Sequence, residues 1–296
     1  MKERILITGG SGFIGSALVD DFLAGGHKVT VYTRQPAAVK ARWPAVMVAS
    51  STAELTGTFD VLVNLAGEGI ADKRWTPARK KALYDSRVTL TLDLVQWAVR
   101  SGQFFRVVLS GSAVGYYGAF AGIDSDPLDE DAAAGDDFAA RLCRDWEAAA
   151  AGFASRCRRL VILRTGIVLD RKGGMLKKLQ LPFSLGLGGV IGDGEQVLSW
   201  ISLQDYRRAV TFLLATDITG PVNMVSPQPV CNRTFTQALA AEMQRPARFP
   251  MPAFIARLLF GEMSCLLLQG QTVLPARLLS QKFPFDFTDI QDAVRE

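Results

Sequence analysis

Residues 8 to 15 read TGGSGFIG, and the runs on either side decide how they fold. Before them stands ERILIT (3 to 8), a short β-branched run with strand character. After them SALVDDFLAGG puts Ala17, Leu18, Phe22 and Leu23 at helical spacing and stops at Gly25-Gly26. A strand, a glycine turn and a helix in that order form a phosphate-binding unit. Gly9 makes the tight turn, Gly12 lets the backbone approach a pyrophosphate, and Gly15 lets the helix pack closely on the sheet. The anion would sit at the helix N-terminus, where unpaired N–H groups and the dipole favour negative charge.

Working outward, HKVTVYTR (27 to 34), VMVA (46 to 49), DVLVNLAG (60 to 67), RVVLSGS (106 to 112) and LVILRTG (160 to 166) read as further strands. Residues 77 to 100 carry one long helical pattern with Pro77 at its start. Apolar strands alternating with helices predict an α/β fold, a doubly wound parallel sheet of Rossmann type covered on both faces. From 171 onward glycines and prolines break this rhythm. The expected organisation is a dinucleotide-binding domain over 1–170, with 203–225 returning to it, and a smaller substrate-side domain built from 171–202 and 226–296.

The composition bounds the function. The 296 residues are 49% hydrophobic and 21% charged, with a formal net charge of +4. The basic residues are scattered, which argues against nucleic acid as a partner and suits a small anionic ligand. Four cysteines without a CxxC pair and a single histidine, His27, argue against a metal site. His27 reads as a turn residue. No signal-peptide pattern precedes the first strand, and AFIARLLFGEMSCLLLQG is interrupted by Arg257 and Glu262. A cytoplasmic protein that does not enter a membrane is the expectation. Association into a homodimer stays open.

The second strand runs into Tyr32-Thr33-Arg34. An NAD site commonly carries an acid there, whereas an arginine accommodates a 2′-phosphate. NADP(H) is therefore the expected cofactor.

With these residues in place, the chain resembles the extended short-chain dehydrogenases/reductases. More narrowly, NLAGEGIADKRWTPARKKALYDSRV (64 to 88), SGSAVGYYG (110 to 118), LRTGIVLD (163 to 170) and GLGGVIGDGEQVLSWI (186 to 201) are similar to one atypical branch. That branch is the NADP-dependent nucleoside-diphosphate-sugar epimerase family with a short C-terminal domain. RPARFPMPAFIARLLFGEM (245 to 263) and LLLQGQTVLPARLL (266 to 279) fit it as well. The resemblance implies cofactor contacts from Gly9, Gly12, Phe13, Ile14, Gly15, Thr33, Arg34, Leu65, Ala66, Gly67, Ser110, Arg164 and Gly166. It implies Ser112 as the active-site serine, and substrate-side roles for Arg87 and Trp200.

The family's usual Tyr-x-x-x-Lys is missing from the chain. In DDFAARLCRDWEAAA (136 to 150), Phe138 falls where the tyrosine would be and Leu142 where the lysine would be. Cys143 reads as a small packing residue. Any proton-handling group is then expected from Ser112, Tyr116, Tyr117 or Glu68, and not from this helix. Tyr116 and Tyr117 read equally well as packing residues. WISLQD (200 to 205) places Ser202 where the branch often has histidine. Two functions follow. One is an NADP(H)-dependent oxidoreductase or epimerase for a small polar substrate, sugar nucleotides included. The other is an NADPH-binding sensor without turnover.

Overall fold

In the computed structural model, which describes residues 2–119 and 126–296, the run Arg4–Thr8 is strand β1, and all but its first residue are buried. Helix α1 (Phe13–Ala24) follows the glycine turn, with Leu18, Val19 and Phe22 facing the sheet. Strand β2 (Lys28–Tyr32), helix α2 (Pro36–Arg42), strand β3 (Met47–Ala49) and strand β4 (Val61–Asn64) complete the first half. The predicted long helix over 77–100 is α3 (Pro77–Tyr84) continuing into α4 (Leu90–Arg100), joined by a π-helical turn at Asp85–Thr89. Such turns often coincide with functional positions, and this one carries Arg87.

Strand β5 (Phe105–Ala113), helix α5 (Phe138–Ala151), strand β6 (Cys157–Thr165) and strand β7 (Ile167–Asp170) come next. Helix α6 (Gly174–Ser184), strands β8 (Val197–Leu198) and β9 (Trp200–Ser202), helix α7 (Leu203–Ala215) and strand β10 (Gly220–Met224) follow. The seven-stranded sheet has the order β10-β6-β5-β4-β1-β2-β3 and every pair in it is parallel. The order reverses between β1 and β4, and the crevice outside the strand ends at such a reversal is where ligands bind in open α/β sheets.

Alternation along the strands sorts the two faces. Ile5, Ile7, Val61, Val63, Val107 and Leu109 pack with α1 and α7 on one side. Leu6, Leu62 and Val108 pack with Leu94 and Trp97 of α4 on the other. Both faces are apolar, which is why the strands read as hydrophobic runs without polar alternation. A separate core joins Leu169, Leu176, Phe183 and Trp200 to Phe235 and Leu239 of helix α8 (Asn232–Glu242) and to Ile290. Helix α9 (Ala253–Phe260) lies beyond it and leaves Phe254, Leu258 and Leu259 exposed.

Candidate functional site

The glycine turn has the shape its sequence predicts. Gly9 takes φ +68°, and a Cβ there would stand 2.6 Å from the Leu65 oxygen, so only glycine fits. A Cβ on Gly15 would run into the Gly9 carbonyl. Gly12 differs: only the Gly9 oxygen, at 3.2 Å, lies near its missing side chain. Gly12 is also the N-cap of α1 and supplies no side-chain cap. The first helical N–H groups, on Phe13 and Ile14, therefore face a cradle without a protein acceptor from that residue, as an anion site requires. The Phe13 ring is turned onto the backbone of Gly173 and Gly174 at the start of α6.

At the end of β2 the Thr33 hydroxyl accepts from the Gln35 N–H at 3.0 Å. The next side chain, Arg34, is largely exposed and pairs with Glu68 Oε1 at 3.4 Å. Arg79 donates to the other oxygen of Glu68, and to the Gly69 carbonyl at 2.6 Å. Arg87 donates to the Glu68 carbonyl at 2.8 Å from beneath Gly67, and burial pulls its guanidinium below its usual pKa. The Arg79 N–H groups, with Arg34 assisting, hold the Glu68 carboxyl below the usual carboxylate range. A carboxylate so held has no proton to donate near neutrality, which counts against Glu68 as a proton donor.

The second cluster forms where β5 and β6 run side by side. Ser112 and Arg164 are register partners, so their side chains leave the sheet on the same face. Helix α5 packs on that face. Its positions Ala139, Cys143 and Glu147, four residues apart, form one stripe toward the end of β5. The side chain that Gly115 lacks would lie 3.4 Å from Ala139 and 3.9 Å from the Cys143 sulfur. Ser112 donates to Glu147 Oε1 at 2.6 Å. Arg164 grips the same carboxylate with two parallel bonds of 3.0 Å each. Although burial opposes its charge, contact with Glu147 raises the Arg164 pKa above its ordinary value.

This corrects two expectations. The residues of α5 that face Ser112 lie one position later than the Tyr-x-x-x-Lys alignment implied. Phe138 instead stacks edge-on against Trp75 at 4.9 Å, with the Lys80 ammonium over its ring, and Leu142 joins the same apolar cluster. The helix also does carry an ionisable group against the serine, Glu147. The sequence offered a sign of it: Glu147 is a lone carboxylate among the buried positions Ala139, Leu142, Cys143, Trp146, Ala149 and Ala150. Burial beside Glu147 pushes the Cys143 thiol up to about 11.

The two tyrosines separate. Tyr117 is buried; its hydroxyl donates to Asn223 Oδ1 at 2.7 Å and accepts from Arg164 at 3.0 Å. Burial pushes that hydroxyl above the ordinary phenol value, against the pull of Arg164. Tyr117 therefore holds the network together and is poorly placed to exchange protons with a ligand. Tyr116 is half-buried, with the Arg164 guanidinium carbon over its ring, 3.5 Å from the ring centroid.

Three further expected contacts turn inward. Ser110 is buried and lies 3.4 Å from the amide of Asn64, which also bonds the Thr91 hydroxyl; it ties β5 to β4. Gly166 is wedged against Ser199 and Val225, where a Cβ would not fit. Trp200 is buried in the C-terminal core with its indole N–H on the Gln228 carbonyl at 2.9 Å. It supports the segment over the sheet and does not line an open surface. Leu65 and Ala66 stay beside the glycine turn, the Ala66 N–H donating to the Thr8 hydroxyl at 3.0 Å. Ser202 caps α7, accepting from the Asp205 N–H at 2.9 Å. His27 accepts from the Glu3 N–H at 3.2 Å, as a turn residue does.

A cavity of about 530 Å³ lies in the C-terminal segment, bordered by Asp193, Arg257, Glu262, Cys265 and Gln269 among others. None of the residues expected from the sequence borders it. Among the described residues no group of three His, Cys, Asp or Glu could hold a metal ion, and no helix is long and apolar enough to cross a membrane.

A parallel nucleotide-binding sheet, a glycine cradle at its reversal point and a serine at the end of β5 define a dinucleotide-dependent class of protein. Residues 5–225 match the family described as NAD dependent epimerase/dehydratase, and residues 251–296 match a domain of unknown function, DUF1731. The chain belongs to the NAD dependent epimerase/dehydratase family. It is 38% identical to the epimerase family protein Mb2239 of Mycobacterium bovis, over 98% of this chain and 96% of that protein. It is 35% identical to human epimerase family protein SDR39U1, over 99% of each. The crystal structure of human SDR39U1 with NADPH superposes with a TM-score of 0.86, at 33% identity, covering 99% of this chain and 98% of that one. A UDP-glucose 4-epimerase from Thermotoga maritima shares the fold, with a TM-score of 0.80 at 17% identity over 99% of this chain and 96% of that one.

Proposed function

We propose that the protein is an NADP(H)-dependent oxidoreductase or epimerase acting on a small polar substrate, with sugar nucleotides as the leading class. The observation that carries the reading is the Ser112–Glu147 hydrogen bond of 2.6 Å, at the end of β5 in the crevice beside the glycine turn. The glycine cradle fits a dinucleotide pyrophosphate, and Arg34 stands where a 2′-phosphate is accommodated. The NADPH in the human SDR39U1 structure supports the same cofactor for this chain. NADP(H), when bound, supplies hydride transfer at a substrate carbon.

The chain's own residues handle the proton. An ionised carboxylate only accepts hydrogen bonds, so the single Ser112 proton is directed at Glu147. The Ser112 oxygen then presents lone pairs and receives a substrate hydroxyl. As that hydroxyl loses its proton to Ser112, the serine proton passes to Glu147 Oε1, and Arg164 holds the acceptor in place. In this reading Glu147 does the work that Tyr-x-x-x-Lys does elsewhere in the family.

The test is a screen of carbonyl compounds and sugar nucleotides with NADPH and NADP⁺, followed on the nicotinamide absorbance. A positioned general acid/base is worth about 10²- to 10⁴-fold. Ser112→Ala and Glu147→Gln should each lower kcat at least about tenfold while NADPH still binds. Unchanged turnover in both variants overturns the mechanism. The sensor reading is supported by the α5 stripe, which offers Ala139 and Cys143 and neither tyrosine nor lysine. If NADPH binds and no compound is consumed, that reading replaces this one.

A further inference from the structure

We propose that Arg79 is a second specificity-determining residue for the cofactor, and that Arg34 and Arg79 hold the 2′-phosphate of NADP(H) together. The inference rests on the cofactor reading above and names what makes it selective.

Both guanidiniums lie against the same carboxylate: Arg34 on Glu68 Oε1 and Arg79 on Oε2. They come from opposite sides of the reversal point. Arg34 lies just past the end of β2, and Arg79 lies in the first turn of α3, whose N-cap Thr76 accepts from the Arg79 N–H. Glu68 sits on the loop after β4 and is what brings the two together. The triad carries two positive charges and one negative. Arg87, donating to the Glu68 carbonyl, adds another positive charge. The excess is positive, and it lies beside the end of β2.

The Arg79 side chain is only 10% exposed. Two of its nitrogens are used, on Glu68 and on the Gly69 carbonyl. Its Nε is buried and has no hydrogen-bond partner among the described residues. A buried donor left unpaired is costly, more so on a charged group. A guanidinium built only to neutralise Glu68 would not need that cost. A doubly charged phosphate with three acceptor oxygens is the kind of group that uses such a donor, and guanidiniums bind it in fork geometry.

Arg34 supplies the complementary half. Its side chain is 83% exposed and its Glu68 contact is long, at 3.4 Å, so it can turn to a ligand at little cost. Arg79 is fixed and Arg34 swings. The carboxylate between them sets their spacing and leaves the pair net positive. An NADH ribose, with a hydroxyl in place of the phosphate, gains nothing from either.

The experiment titrates NADPH and NADH into the full-length protein by fluorescence, for wild type, Arg34→Ala, Arg79→Ala, Arg79→Lys and the double alanine variant. Thermal melts report folding. Wild type should prefer NADPH. Arg79→Ala should weaken NADPH at least about tenfold and NADH less than about threefold, and the double variant should bind the two equally, as loss of charge-assisted contacts predicts. Arg79→Lys keeps charge and stem but not the fork, and should lose part of the preference; it is the decisive variant if Arg79→Ala does not fold. Equal weakening of NADPH and NADH would assign Arg79 to the scaffold or the pyrophosphate and overturn the inference. An unchanged preference would also overturn it. If NADPH does not bind the wild-type protein, the cofactor reading and this one fall together.

Discussion

Of the carboxylates that arginines hold in this protein, Glu147 and Glu68 differ most usefully, because their surroundings set them to different tasks. Glu147 is partly buried, held by side chains from two adjacent strands. Ser112 and two N–H groups on one edge of Arg164 hold it, and Tyr117 and the Glu130 carbonyl at 3.1 Å occupy the rest of Arg164. Glu68 lies in the loop after the central strand β4, and its arginines keep one buried N–H unspent and one side chain in solvent. The closed network fixes a geometry. The open one keeps binding capacity. An ion pair is thus informative about function through the hydrogen bonds it leaves unused more than through those it makes.

The comparison is broken most severely at Arg164. Replacing one partner of a buried pair leaves an uncompensated charge, which costs about 3–5 kcal/mol. Arg164→Ala should therefore fall in that range in denaturant unfolding, whereas Arg34→Ala, at an exposed pair, should stay within about 1 kcal/mol. If both variants lose the same small amount, the Glu147 network is not the closed structure described.

Glu147→Gln sharpens the same contrast in kinetics. The glutamine keeps the size and can still accept from Ser112, but it cannot take a proton. Turnover should fall at least about tenfold, with a smaller stability loss than in Arg164→Ala. Glu147→Asp, which restores the carboxylate, should recover part of the rate. A glutamine variant with wild-type kcat would reduce Glu147 to a packing residue.

How much of this was legible in the sequence follows from where periodicity and chemistry coincide. The glycine turn and the strands were readable because backbone geometry forces glycine at Gly9 and Gly15, and because two buried faces force apolar runs. The α5 register was not. A helix advances 100° per residue, so aligning Phe138 with the absent tyrosine was as good as aligning Ala139, and only packing on Ser112 and Gly115 chooses between them. Glu147 and Arg79 were missed for a related reason. Their partners lie elsewhere in the chain, at Ser112 and Arg164 for Glu147 and at Glu68 for Arg79, and no local motif joins them. Tyr117 reads as a site residue because it closely follows a serine-bearing strand, but its hydroxyl turns back to Asn223 and Arg164.

That last placement gives a smaller effect. Tyr117→Phe removes a hydroxyl that serves two buried groups and leaves both short of a partner. The expected cost is about 1–3 kcal/mol in stability. Once normalised to folded protein, kcat should change little, because Tyr117 is buried away from any ligand. A large loss of kcat with unchanged stability would return Tyr117 to the list of proton donors.

The smallest effect belongs to Glu68, and its sign is fixed by the direction of its titration. Arg79 holds the folded carboxyl below its usual range, so the folded state prefers the ionised form. The stabilisation is then present above the unfolded pKa of about 4.3 and is lost as the pH falls through the lower folded value. Because the group is partly exposed and screened, its size should be under about 1 kcal/mol. Melting wild type and Glu68→Gln side by side from pH 7 to pH 3 reads it directly. Wild type should be slightly more stable at pH 7, and the gap should close as acid protonates Glu68. A gap that widens toward acid pH would mean that the carboxylate is strained between its arginines, and that the open cluster is held together by something other than Glu68.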